Sequence, residues 1–325
     1  MGIWAGAAGS SLSIGPVLGG GLVVAFGWQA VFLVNLPIAA AIAVLTIRYV
    51  TDTAEPGAGG LDVPGQLTGS AALALLAAGA IEGGRHGFTD PLALGVLASG
   101  LASLAAFLAV EHRQASPMLP LSYFRRPACF AANAAGLVMG FVTIGLLFVF
   151  ALFFQQVQGD SAIAAGLRFL PLTVAFVLTG PLAGRVIGRA GHRGPMATGC
   201  ALLALGAFLL LRVHAGSGYG TVWWPFALAG TGYGLLSTPM AAAVLSAVPP
   251  ARAGMASSAN LTARLAGGVF GIAVLGALLP AAGAHSGDAY ATAFTTGLHT
   301  ALIIAAIAAL AGAALTATLI REDRA

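Results

Sequence analysis

The chain runs again and again for about twenty residues with almost no charge. The approximate segments are 2–25, 30–50, 65–83, 91–110, 128–154, 163–187, 195–213, 222–247, 256–280 and 292–319. An α-helix of about 20 residues spans the roughly 30 Å hydrocarbon core of a bilayer. Barrel strands are half that length and alternate in polarity, so the runs predict helices. Only 7% of the 325 residues are charged and 58% are hydrophobic. A soluble domain carries about 25% charged residues to clothe its surface. The expected fold class is therefore an all-α integral membrane bundle of about ten transmembrane helices. The first segment has no basic leader and runs too long for a signal peptide, so it is expected to be a span.

The positions of the basic residues test this segmentation. All 14 are arginine. Alternate connections collect Arg48, then Arg113, Arg125 and Arg126, then Arg185, Arg189 and Arg193, then Arg252, then Arg321 and Arg324. The other side receives Arg85, Arg168 and Arg212, and Arg264 lies within a segment. Basic residues concentrate on the cytoplasmic side of membrane proteins, so both termini are expected there, in a multi-pass protein of the cell membrane. The pI of 9.6 reflects this bias and not a nucleic-acid surface, because no basic cluster is interleaved with aromatics. Cys129 and Cys200 sit alone in apolar segments and predict neither a metal site nor a disulfide. No cofactor motif is present. Paired Ser/His, paired Asp or a zinc-protease motif within the spans would mark an intramembrane enzyme, and none occurs.

Two interruptions divide the chain. Residues 51–64 hold Asp52, Glu55, Asp62 and a Pro-Gly-Ala-Gly-Gly run, and predict a flexible linker. Residues 111–127 hold Glu111-His112-Arg113, Pro117, Pro120 and Arg125-Arg126-Pro127, and predict a second connection. Two helices precede the first, two lie between, and six follow.

Several motifs sit on this frame. Gly2, Ser11, Gly15-Pro16, Gly19 and Gly20 place small residues on one helix, where they let backbones approach, and Pro16 can bend it. This pattern resembles the antiporter motif in the fifth helix of major facilitator superfamily drug exporters, with Ser11 in place of the usual Gly. Gly27-Trp28-Gln29 through Asn35-Leu36-Pro37 is similar to the next outer loop and helix start of the fourteen-helix drug:proton antiporter branch. Leu61-Asp62-Val63-Pro64-Gly65 resembles the entry to that branch's inserted helix pair, and Glu111 to Arg126 resembles the exit. Phe154-Gln155-Gln156 through Asp160, with Ala165-Gly166-Leu167-Arg168, resembles the first outer loop of the C-terminal bundle. Gly184, Arg185, Arg189, Gly191 and Arg193 resemble the loop motif between the second and third helices of a bundle, although Gly188 stands where the family carries an acid.

The resemblance implies proton-coupled efflux of amphipathic drugs or other small organic compounds by alternating access. It assigns residues 1–50 to the last two helices of an N-terminal bundle, 51–127 to a linker with an inserted helix pair, and 128–325 to a six-helix C-terminal bundle. The family has six helices before the pair, so the first four are expected to be lacking. A partner chain could supply them, and the polypeptide alone is expected to give no proton-driven efflux. A non-transporting remnant and a ten-helix permease of another family are the alternatives, although the latter predicts two similar halves that the sequence does not show. All ten acids stand in predicted loops or near helix ends, so none is a convincing intramembrane proton carrier. Polar and aromatic residues within the spans supply the substrate-binding candidates: Asn133, Phe141, Phe148 and Gln155 on the fifth segment, and Asn260 with Arg264 on the ninth. His299, on the last span, is expected to be a hydrogen-bonded packing residue.

Reporter fusions check the topology. An alkaline phosphatase joined near His192 is expected to be inactive and one joined near Gly216 active; the reverse pattern would refute the arginine assignment.

Overall fold

A computed structural model of the chain describes residue 15 and residues 18–49, 62–114, 121–249, 252–280 and 287–320. Among these residues there is no strand. Nine helical spans among the described residues are long and apolar enough to cross a membrane. The first is α1 (Ala30–Tyr49). The next two are α2 (Val63–His86) and α3 (Pro91–Arg113). Six follow in the remainder: α4 (Pro127–Leu152), the short α5 (Ala162–Arg168) that leads into α6 (Leu170–Ala190), α7 (Arg193–Leu209), α8 (Trp223–Ser246), α9 (Ala253–Gly276) and α10 (Asp288–Leu319). Residues 18–26 are also helical; most of the first predicted segment, with Pro16, lies outside the described residues.

Local chemistry moves several boundaries from their predicted places. Asp62 does not belong to a loose linker: its carboxylate accepts the Gly65 N–H at 2.8 Å and caps α2 from Val63 onward. The same carboxylate accepts Gln114 Nε2 at 2.8 Å, which ties the two ends of the α2–α3 hairpin together. Asp90 caps α3 through the Leu92 and Ala93 N–H groups. Glu111, His112 and Arg113 form the last turn of α3 and not a connection. Helix α10 begins at Asp288, where an acid suits a helix N-terminus.

Helix α4 is the axis of the six-helix bundle and packs against α8, α9 and α10. Its closest seam is with α9. A Cβ at Gly140 would collide with the Arg264 carbonyl oxygen, one at Gly267 with the Leu137 carbonyl, and one at Gly271 with the Phe141 carbonyl. Helix backbones therefore touch directly, as small residues permit within a bilayer, where the hydrophobic effect does not drive helices together. The same device joins α8 to α6 at Gly230 against Leu172, and α8 to α7 at Gly232 against the Gly199 carbonyl. Helices α2 and α3 pair, and Gly84 of α2 abuts Ala277 beyond the end of α9. Helix α1 has no buried residue.

The bundle's two ends are closed differently. At the end bearing Arg126, Arg185, Arg193 and Arg252, the Tyr123 ring meets two guanidiniums, Arg126 at 5.5 Å and Arg252 at 5.7 Å from its centroid. Arg126 also donates to the Ala247 carbonyl at the end of α8, where a cation complements the helix dipole. At the opposite end α4 runs into a π-turn, Phe153–Val157. Phe153 and Phe154 are both fully buried there, in an aromatic cluster with Phe150, Phe169, Phe226 and Phe294. Arg168 covers the Phe154 ring at 4.9 Å, pairs with Asp160 at 2.8 Å and donates to Gln158. Gln158 in turn donates to the Ser217 carbonyl at 2.9 Å. His299 contacts the Val213 carbonyl at 2.9 Å, so its imidazole joins α10 to the loop after α7.

Two outcomes follow from this packing. Gly140→Ala is expected to cost about 1–3 kcal/mol by overpacking and to lower the unfolding midpoint in detergent. Gly188→Ala, whose added Cβ meets open space on a helix, should not lower the midpoint. Arg168→Ala should raise hydrogen exchange at 158–160 and 215–219 by about tenfold or more, the equivalent of about 1.4 kcal/mol for lost charge-assisted bonds; unchanged exchange would show that the cluster does not hold these loops.

Candidate functional site

The six binding candidates do not converge on one place. Asn133 lies near the arginine-rich end of α4, where it lines a small cavity with Tyr123, Phe124, Cys129, Val248 and Met255. Its Nδ2 donates to the Cys129 carbonyl at 2.9 Å. Phe141 and Phe148 meet α9 along the glycine seam, Phe141 through its carbonyl against Gly271 and Phe148 through its ring against Gly276. Gln155 is exposed in the π-turn and donates back to the Ala151 carbonyl at 3.1 Å.

Asn260 and Arg264 share the seam side of α9. Asn260 is buried and its Nδ2 donates to the Ala132 carbonyl of α4 at 3.3 Å, which satisfies an amide that would otherwise be costly inside a span. Arg264 is half-buried at the middle of α9. Tyr233 stands edge-on to Phe176 of α6, with ring centroids 4.7 Å apart and planes at 86°. Phe176 and Tyr233 thus meet between α6 and α8. Sequence reasoning missed Phe176 and Tyr233. The signal was present at Tyr233, a large polar aromatic set among Gly230, Gly232 and Gly234, each of which lets a neighbouring helix approach.

The conformational motifs are placed as follows. Gly20 is buried, and a Cβ there would lie 3.1 Å from the Ala162 backbone at the start of α5; Gly15 and Gly19 have open space. Gly191 ends α6 with φ of 63°, a left-handed conformation that a side chain disfavours, and its N–H bonds the Ile187 carbonyl at 3.0 Å. The turn that follows is tight, with α7 starting at Arg193. Arg185 and Arg193 are exposed, and neither forms an ion pair among the described residues; the Arg189 side chain lies outside them. A Cβ at Gly184 would lie 3.9 Å from the Thr238 side chain of α8, an ordinary contact.

The acids among the described residues stand at helix ends or in connections. Asp62 and Asp90 are caps, Glu82 pairs with His86 at 2.8 Å, Glu111 is buried in the last turn of α3, Asp160 holds Arg168, and Asp288 opens α10. Among the described residues no three His, Cys, Asp or Glu side chains gather as a metal site.

Comparison with known proteins gives this geometry a context. Residues 1–272 match the Major Facilitator Superfamily model. The chain is 35% identical over 282 residues to the multidrug resistance protein Stp of Mycobacterium tuberculosis, covering 86% of this chain and 52% of that protein. It is 35% identical over 280 residues to the tetracenomycin C resistance and export protein of Streptomyces glaucescens, with coverage of 86% and 52%. It is equally similar, at 35% over 280 residues, to a methylenomycin A resistance protein of Streptomyces coelicolor, with coverage of 86% and 58%. The chain spans about half the length of the curated relatives it matches. With a family match along most of its length and apolar helices that repeatedly reach membrane-spanning length, the chain belongs to the Major Facilitator Superfamily.

Proposed function

We propose that this chain works as part of a carrier, not an enzyme, that exports amphipathic drugs or other small organic compounds across the cell membrane in exchange for protons. The observation that carries this reading is similarity along 86% of the chain to proteins named for drug resistance and export. In this reading the two bundles rock about a site near the bilayer midplane, and ligand and protons bias the exchange between outward and inward forms. Residues 128–325 supply the C-terminal bundle, 51–127 the inserted pair and its connections, and 1–50 two helices of the N-terminal bundle. The arginine-rich end faces the cytoplasm, and so do both termini.

The geometry supports parts of this cycle. The glycine seams hold α4, α6, α7, α8 and α9 as one body, which suits rigid rocking. Gly20 against Ala162 is a backbone-close contact between the antiporter-motif helix and the six-helix unit. The unburied surface of α1 packs, in the proposed architecture, on the rest of its bundle, whether that belongs to the same polypeptide or to a partner chain. Exchange of protons comes from the family resemblance; the carboxylates described here stand at helix ends, so a proton carrier within the membrane would belong to the N-terminal bundle.

The reading frame that contains this chain, expressed in a host stripped of its own drug exporters, is expected to lower steady-state accumulation of a fluorescent amphipathic dye several-fold. A protonophore should abolish the difference. Accumulation equal to that of the empty host, with the protein present in the membrane, would refute the export reading.

A further inference from the structure

Two histidines from separate elements meet at the end of the bundle opposite the arginine-rich one. His214 follows Val213 in the loop after α7, and His299 stands on α10. Their ring centroids are 5.6 Å apart, with planes at 75°. The backbone that carries His214 is firmly held. Its N–H donates to the Ser217 hydroxyl at 2.8 Å, and its carbonyl accepts the Ser217 N–H at 2.9 Å. Gln158 Nε2 donates to the Ser217 carbonyl at 2.9 Å, and Val213, fully buried, donates its N–H to the Leu210 carbonyl at 3.0 Å. The His214 ring itself is exposed, and His299 is half-buried. The scaffold is fixed while one imidazole remains open to water. Helix α10 has 32 residues and is about 48 Å long, some 18 Å more than a hydrocarbon core, so its turns near this end reach beyond the apolar layer.

The second ring is oriented as a ligand would be. His299 Nε2 lies 2.9 Å from the Val213 carbonyl. A carbonyl can only accept, so the proton of the neutral ring is assigned to Nε2, and the lone pair falls on Nδ1. A backbone carbonyl on the far nitrogen is the arrangement that fixes the tautomer and ring plane of metal-ligating histidines. The spacing suits the same chemistry. A ring nitrogen lies about 1.1 Å from an imidazole centroid and a Zn–N bond is about 2.0–2.1 Å, so a shared ion sits roughly 3.2 Å from each centroid. At a separation of 5.6 Å the two rings subtend about 120° at that ion, near the tetrahedral angle of about 109°. A turn of the exposed His214 ring brings its nitrogen to the ion without moving the anchored backbone.

We propose that His214 and His299 form a two-imidazole site for a divalent transition ion of the kind imidazole favours, Zn²⁺ or Cu²⁺, with water completing its coordination. The ion bridges the loop after α7 to α10, the two elements that the contact of His299 with Val213 already joins, and so fastens this end of the bundle. The site is independent of the export reading, and neither stands or falls with the other.

The test uses the intact membrane protein, purified in detergent with a tag free of histidine, and Cu²⁺ or Zn²⁺ alone as the probe. Titration with Cu²⁺, followed by electron paramagnetic resonance, is expected to give one tight equivalent whose splitting reports two nitrogen ligands. His214→Ala, at an exposed position, should weaken that equivalent at least about tenfold, since loss of even an outer partner of a metal ligand costs about 10–100-fold. His299→Gln should leave a one-nitrogen signal. Zn²⁺ should raise the unfolding midpoint of the wild type and not that of His214→Ala, because an ion bound only to the folded site stabilises it. Equal affinity in wild type and His214→Ala, a one-nitrogen signal in the wild type, or equal Zn²⁺ shifts in both proteins would overturn the site and leave the two rings as packing partners.

Discussion

Backbone-to-backbone contact between α4 and α9 is the constraint on which the rest of the six-helix unit depends. In lipid, apolar side chains gain little by leaving one hydrocarbon for another, so association rests on close packing. Gly140, Gly267 and Gly271 let carbonyl groups sit where side chains would otherwise intervene. That proximity positions Asn260 to bond the Ala132 carbonyl and sets the Arg264 carbonyl against Gly140. Glycines on α8 repeat the solution toward α6 and α7. The result is a bundle whose rigidity comes from shape, leaving its few polar groups available for other work.

The two ends of that bundle use cations in opposite ways. At one, Arg126 and Arg252 both contact a single tyrosine ring, and Arg126 reaches the carbonyl end of α8. At the other, a single Arg168 gathers an acid, an amide and a phenylalanine, and so fastens the π-turn of α4 to the loops after α4 and α7. The richer end is rich in charge but poor in ion pairs among the described residues. The poorer end spends its charge on structure.

Much of the fold was legible in the sequence because bilayer thickness imposes a length and a polarity that any spanning helix must meet. The apolar runs located every long helix among the described residues to within a few positions. The discrepancies came from capping chemistry, such as Asp62 extending α2 and Glu111 to Arg113 closing α3. The extra turn at Phe153–Val157 was not legible, since a π-turn has no composition of its own and arises where Phe153 and Phe154 must both face the core. The candidate site was legible only in part. Arg264 and Asn260 stand out because charge and amide are rare within a span, whereas Phe176 and Tyr233 look like ordinary packing aromatics until α6 and α8 bring them into contact.

By itself, then, the sequence determined that the chain is a bundle of membrane-crossing helices, which ends of them share a side, and what family it resembles. These follow from hydropathy, the count of arginines and the order of short motifs, all of which are local properties read along one dimension. Only the tertiary structure decided which polar residues meet. It placed Asn133 beside a small cavity and Gln155 in an exposed turn, assigned Phe141 and Phe148 to a packing seam, and set Tyr233 edge-on to Phe176. Neighbours across helices depend on rotation and crossing of the rods, and those are set by where glycine lets two backbones touch.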